Sequence, residues 1–154
     1  MKKALSYIIP VASGFLLGFL ASRLQADAIA NWYPYLDKPS LTPPNMVFPI
    51  AWGILYLLSG ISAGIIYNTL SVRRNGILSL WCVQLILNFL WSVMFFYLQN
   101  PMLGMINILL LDVVVIWYAV KSWSQSKAAS VMYWPYVLWL CFATYLNIYI
   151  LINN

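Results

Sequence analysis

The chain has no histidine and no glutamate, only two cysteines, and charged residues at just 7% of its 154 positions. Each shortage removes a class of function. Without histidine there is no imidazole to act as general base, to complete a facial metal triad or to ligate haem iron. Two isolated thiols cannot supply the four ligands of a structural zinc site. Cys82 and Cys141 both fall inside apolar runs, where the expected role is packing. No P-loop or H-E-x-x-H pattern occurs, and Gly60-Ile61-Ser62-Ala63-Gly64, which matches G-x-S-x-G in letters, lies inside an apolar run of a chain with no histidine to complete a triad, so hydrolytic and nucleotide-driven chemistry lack their residues. The missing glutamate argues against a small multidrug exporter built around a membrane-embedded glutamate. Nothing resembles a nucleic-acid-binding module.

What is present is apolar. Hydrophobic residues make up 64% of the chain and the mean hydropathy is +0.84, more than a soluble domain of this size tolerates. At ~20 apolar residues per crossing, the runs predict five spans: Leu5–Leu24, Pro44–Leu70, Ile77–Leu98, Met102–Val120 and Val131–Ile152. The expected fold is an all-α integral membrane protein. Residues 1–154 form one five-helix transmembrane domain, with a Pro/Trp-rich lid at 25–43 between the first two helices.

The net charge of +5 is a topology signal. Five crossings place Lys2, Lys3, Arg73, Arg74, Lys121 and Lys127 on one side. The other side receives Arg23 and Lys38, offset by Asp27 and Asp37. Basic residues near helix ends stay cytoplasmic. The N-terminus is therefore expected inside, with the lid connector and C-terminus outside; an organellar setting would change the compartment names but not the asymmetry. A rival reading takes Met1-Lys2-Lys3, the first apolar run and Ala26-Asp27-Ala28 as a secretory signal. That run exceeds the ~7–15 residues of a signal core and Arg23 interrupts it, which favours a permanent helix. Gly14-x-x-x-Gly18 and Gly60-x-x-x-Gly64 permit close helix approach. The first pair is a candidate homodimer seam, and the second suits packing within one bundle.

The connector is the most unusual segment. Asn31–Tyr56 concentrates Pro34, Pro39, Pro43, Pro44 and Pro49 among Trp32, Tyr33, Tyr35, Phe48, Trp52 and Tyr56. Each proline fixes its own φ and biases the preceding residue towards extended backbone. A stiff, aromatic-lined structure at the membrane surface follows, suited to covering a pocket.

Three spans carry a helical stripe. Gln84, Asn88 and Ser92 recur on the third, flanked by Trp81, Trp91 and Phe95. Phe48, Ala51, Trp52, Leu55 and Ser59 share a face of the second, and Trp139, Phe142, Ala143, Leu146 and Asn147 a face of the fifth. Polar groups in hydrocarbon need partners, so these faces point inward. Large aromatics beside small or amide residues make either interhelical packing or the walls of a pocket for a flat apolar ligand. Asp112, midway along the fourth span, is either a functional ionisable group or a neutral lock between helices.

At this level of detail the chain resembles a known family. Trp32-Tyr33-x-x-Leu36-x-Lys38-Pro39-Ser40-x-x-Pro43-Pro44 is followed by Phe48-Pro49-x-x-Trp52-x-x-Leu55-Tyr56. Gln84-Leu85-x-Leu87-Asn88-x-x-Trp91-Ser92 and Ala143-Thr144-x-Leu146-Asn147 come later. The whole chain looks like the TspO/translocator family, the tryptophan-rich sensory proteins or peripheral-type benzodiazepine receptors, in its short bacterial form. The resemblance implies a usually dimeric five-helix bundle that binds protoporphyrin IX and other tetrapyrroles. It also implies binding of isoquinoline carboxamide and benzodiazepine ligands.

Carried over by motif, the pocket comprises Tyr33, Pro43, Pro44, Phe48, Ala51, Trp52, Asn88, Trp91, Ser92, Trp139, Phe142, Ala143 and Leu146, with Leu55 on the same face. Some bacterial members degrade protoporphyrin in light and oxygen with the help of pocket tryptophans, which here implies Trp52 and Trp139 as catalytic. No metal or further cofactor is implied, since a metal-free porphyrin, as ligand or substrate, needs flat walls and no axial ligand. The lid departs from the family at Leu41, where a tryptophan is common. The animal-type sterol pattern is absent from Ala143–Asn154, which holds no basic residue. Two functions compete: a tetrapyrrole receptor with light-dependent degradation, or a carrier of porphyrins and other apolar molecules past Asp112 and the polar stripe.

Overall fold

The computed structural model describes residues 2–154, apart from the Lys2 side chain. Met1, the first residue of the basic N-terminal run, lies outside the described residues. Five long helices account for most of the chain: α1 (Lys2–Asn31), α2 (Val47–Tyr67), α3 (Arg74–Ser92), α4 (Pro101–Trp123) and α5 (Lys127–Asn153). All five are long and apolar enough to cross a membrane, and there is no strand among the described residues. α3 runs on into a wider π-helical turn at Val93–Tyr97, and a single 3-10 turn, Tyr33–Tyr35, lies in the first connector.

Local sequence explains the helix starts. Asn100 caps α4 by accepting from the Leu103 amide at 3.0 Å. Pro101 follows at the first helical position, where a missing N–H costs nothing. Ser126 caps α5 in the same way, through the Ala129 amide. The tight α3–α4 turn puts Gln99 at φ 49, in the left-handed region.

The boundaries differ from the hydropathy reading at one place that matters. α1 does not stop near Leu24 but continues through Asn31, so the irregular connector starts at Trp32 and α2 starts at Val47. Thirty residues of helix span ~45 Å, against a hydrocarbon core of ~30 Å. Hydropathy falls where Arg23 and Asp27 appear, but backbone hydrogen bonding need not. In the last turn the Asn31 side-chain amide donates to Asp27 at 2.8 Å. The helix breaks at Trp32, with φ −124 and ψ −55, and Pro34 has no N–H with which to extend the α-helical ladder.

α1 packs on α2 through glycines from both helices. A Cβ on Gly60 would lie 2.6 Å from the Val11 backbone, and one on Gly64 would lie 2.9 Å from the Ser6 carbonyl oxygen. Gly14 and Gly18 in turn face the Tyr56 side chain. This corrects the expected dimer seam: the first glycine pair is already occupied within the chain, because Tyr56 is wide and needs a groove to enter. α1, with Ala21 and Ala28 buried, is an integral helix of the bundle.

The remaining helices close around Leu55, Ile66, Ile108, Leu111, Val115, Tyr118, Tyr133 and Leu140. Buried side chains tie backbones across the seams, as a lipid-embedded bundle requires. Ser130 donates to the Ala119 carbonyl at 2.7 Å, Ser62 to the Ala129 carbonyl at 2.8 Å and Asn107 to the Leu87 carbonyl at 2.8 Å. Cys82 and Cys141 do not pack inside. Both are exposed, on outward faces shared with Val83 and Ile86 and with Leu138 and Tyr145 respectively. A small apolar thiol sits as readily against lipid as against protein.

Candidate functional site

The connector is latched at two points. The Lys38 ammonium donates to the carbonyls of Tyr33 at 2.7 Å, Leu36 at 2.8 Å and Pro34 at 3.3 Å, and lies 4.9 Å from the centre of the Tyr33 ring. An ammonium has three protons, and all are taken by backbone, so Lys38 is an internal staple with no donor left for a ligand. The second latch joins the connector to the end of α5. Asp37 and Asn154 exchange two hydrogen bonds, 2.8 Å from the Asp37 amide and 3.1 Å to its carbonyl. Tyr33 is buried against Phe96, with centroids 5.6 Å apart. Burial pushes its phenol above the ordinary value, so it stays a neutral ring. Replacing Lys38 with methionine, which keeps the stem and removes the donors, should accelerate amide hydrogen exchange across 33–45. Exchange as slow as wild type would show that the staple contributes nothing.

Of the fourteen sequence-derived site residues seven line one of two cavities, and Phe48, Ala51, Leu55, Ser92, Trp139, Phe142 and Leu146 line neither. Tyr33, Pro43 and Pro44, with Pro34, Lys38, Pro39, Thr42 and Asn45, line an open cavity of about 540 Å³ along the connector. Trp52 from α2, Asn88 and Trp91 from α3 and Ala143 from α5 meet inside the bundle, around a void of about 10 Å³. Ile108, Leu111 and Leu140 complete that inner lining. Phe48 and Trp139 pack edge-on at 5.9 Å, and Trp139 also contacts Phe142 at 5.9 Å. Leu55, Ser92 and Leu146 are buried in the bundle, and Ala51 is half-buried at the same end of α2. Leu41, at the position of the missing lid ring, is exposed.

The inner walls are held shut by ring contacts. Trp52 stacks on Tyr56 at 5.6 Å and meets Tyr136 edge-on at 5.8 Å, while Trp91 stacks on Phe95 at 5.1 Å. Asn88 is occupied as well, accepting from the Tyr56 hydroxyl at 3.0 Å and donating to Tyr136 at 2.8 Å. The Trp91 indole donates to Asn147 at 3.2 Å, and Asn147 donates to the Pro101 carbonyl at 3.0 Å. Sequence reasoning missed Tyr56, Tyr136, Ile108, Leu111 and Leu140 as parts of this site. Only the two tyrosines had a signal: phenols inside apolar spans need partners, and Asn88 is the amide nearest in register. Asp112 lines neither cavity. It accepts from the Thr144 hydroxyl at 2.8 Å, which places it as a tie between α4 and α5.

These features define a class: a five-helix integral membrane protein whose aromatic interior lies beneath a proline-stiffened connector at one end. The sequence places it further, for residues 7–152 match the TspO/MBR family and the chain belongs to that family. It is similar to the tryptophan-rich protein TspO of Archaeoglobus fulgidus, 37% identical over 97% of both chains. The TspO of Chlorobaculum tepidum is 32% identical, over 99% of this chain and 98% of its own. The translocator protein of Sus scrofa is 33% identical, over 88% of this chain and 85% of its own.

Proposed function

We propose that the protein is a membrane receptor for protoporphyrin IX and related tetrapyrroles, that isoquinoline carboxamide and benzodiazepine-type compounds compete for the same place, and that the bound porphyrin is degraded in light and oxygen. The observation that supports this reading is convergence: Trp52, Asn88, Trp91 and Ala143 come from three helices to one point, next to the Phe48–Trp139 pair. A void of about 10 Å³ is far below the ~300–1,000 Å³ of an ordinary ligand pocket. Binding therefore separates the walls. Each ring–ring pairing that opens is worth ~0.5–1.5 kcal/mol beyond area burial, and a porphyrin face restores pairings of the same kind. The connector cavity of about 540 Å³ gives the ring a way in from the membrane surface.

The test is titration of the purified protein with protoporphyrin IX in the dark, followed by illumination. Saturable binding is expected, with loss of porphyrin absorbance under light and oxygen but not under argon. Uptake indistinguishable from empty detergent micelles would sink the receptor reading. A carrier would instead accumulate porphyrin inside sealed vesicles.

The same reading puts the N-terminus in the cytoplasm, with the connector and C-terminus outside, supported by the six basic residues at one end of the bundle. In a protein with Cys82 and Cys141 replaced by alanine, single cysteines at positions 38 and 127 should label from opposite faces with an impermeant reagent. Labelling from the same face would contradict the five-crossing topology. Assembly as a homodimer belongs to this reading too, through a face other than the glycine pair of α1.

A further inference from the structure

On the side of Asn88 away from the connector, the interior turns polar again and is incompletely paired. Gln84 on α3 is 1% exposed, yet neither its amide nitrogen nor its amide oxygen has a hydrogen-bond partner. Tyr133 on α5 and Ser122 on α4 are fully buried, and their hydroxyls make no well-formed hydrogen bond, although Ser59 lies within reach of the first and Tyr118 within reach of the second. Helical register relates the levels at which they lie. The Asn88–Tyr136 hydrogen bond sets α3 and α5, which run in the same direction, at a common height. Gln84 and Tyr133 each precede those residues by one helical turn, so both sit one level deeper. At that level the Trp81 indole donates to Ser59 at 2.9 Å, and the Tyr133 hydroxyl faces the same serine. Deeper still, Tyr118 packs on Tyr133 with centroids 4.0 Å apart, lies 3.0 Å from the Ser62 hydroxyl and faces Ser122. Ser62 reaches the Ala129 carbonyl, beside the α4–α5 connection.

We propose that this column binds water, as a thread of buried molecules running from the α4–α5 connection to Asn88 at the floor of the aromatic site. Buried polar groups in native proteins find partners, and an unpaired primary amide in a lipid-embedded bundle has no bulk solvent to turn to. A buried water needs two to four polar partners. The Gln84 amide, with the Tyr133 and Ser59 hydroxyls on the neighbouring helices, supplies them at one level. Tyr118 and Ser122 supply them at the next.

The experiment uses the full chain in lipid nanodiscs with 15N-labelled glutamine, and reads magnetisation transfer from water to the side-chain amide protons. The Gln84 signal is assigned by its loss in Gln84→Met. Transfer to Gln84 is expected, and it should weaken in Tyr133→Phe, which keeps the ring and removes the hydroxyl. Absence of transfer in the wild type overturns the proposal. Thermal unfolding gives an independent reading. If the column is hydrated, Gln84→Met loses bridging water and unfolds at or below the wild-type midpoint. A clear rise in midpoint would mean that a dry, unsatisfied amide had been removed, and the proposal fails.

Discussion

Replacing Gly60 with valine will keep α1 from docking on α2, and the protein will be recovered as aggregate. At this position a Cβ meets the Val11 Cα and N at 2.6 Å, so the obstruction is backbone and cannot rotate aside. Overpacking a core typically costs ~1–3 kcal/mol where side chains can yield. Here relief requires the two helices to separate along the seam where Gly64 meets Ser6 and Tyr7 and where Gly14 and Gly18 meet Tyr56. Moving Tyr56 also breaks its bond to Asn88, so damage at the crossing reaches the aromatic site. Gly53 and Gly76 are the matched controls. A Cβ at Gly53 finds its nearest neighbour at 4.0 Å, and one at Gly76 finds nothing within 4 Å. Alanine at either should be tolerated and should add up to ~0.5–1 kcal/mol through helix propensity. Size-exclusion profiles and thermal midpoints in detergent distinguish the outcomes. A monodisperse Gly60→Val protein with a wild-type midpoint would mean that the helices do not cross here.

What could be read from the sequence follows from which physical signals are local. Five spans were legible because length and hydropathy are properties of each segment alone, and the inward faces of α2, α3 and α5 because large aromatics and amides recur at helical spacing. Trp52, Asn88, Trp91 and Ala143 meet as those stripes suggested. The end of α1 was not legible, because hydropathy marks where lipid ends and not where hydrogen bonding ends. The contribution of α4 was missed because Ile108 and Leu111 sit in an unbroken aliphatic run and do not stand out from Leu109 and Leu110, which face outward. Long-range choices are the least visible. Nothing in the spacing says that Lys38 folds back on three carbonyls, that Tyr56 fills the groove of Gly14 and Gly18, or that two tyrosines take up the Asn88 amide.

Trp52→Phe and Trp139→Phe should each still bind protoporphyrin IX yet lose most of its light-dependent degradation. Trp52 lines the inner void, whereas Trp139 lines neither cavity and is packed among aromatic rings. Trp52 is held between Tyr56 and Tyr136, and Trp139 between Phe48 and Phe142. Phenylalanine leaves a ring at each position. The drop in affinity is then at most that of one aromatic pairing, ~0.5–1.5 kcal/mol, which keeps the dissociation constant within about tenfold of wild type. The chemistry depends on a different property. An indole is far easier to oxidise than a phenyl ring. Beside an excited porphyrin, with dioxygen as the oxidant, Trp52 or Trp139 can give up an electron and its N–H proton, and a phenyl group cannot. Neither indole nitrogen is needed to hold the fold together, unlike Trp81 and Trp91, whose N–H groups are bonded to Ser59 and Asn147. Trp117, which is 51% exposed on the outer surface, is the control, and Trp117→Phe should change neither binding nor degradation. Dark titration gives affinity and absorbance loss under illumination gives turnover, so the two roles separate within one sample. If both pocket variants degrade the porphyrin at the wild-type rate, the two indoles shape the pocket and the electron comes from elsewhere.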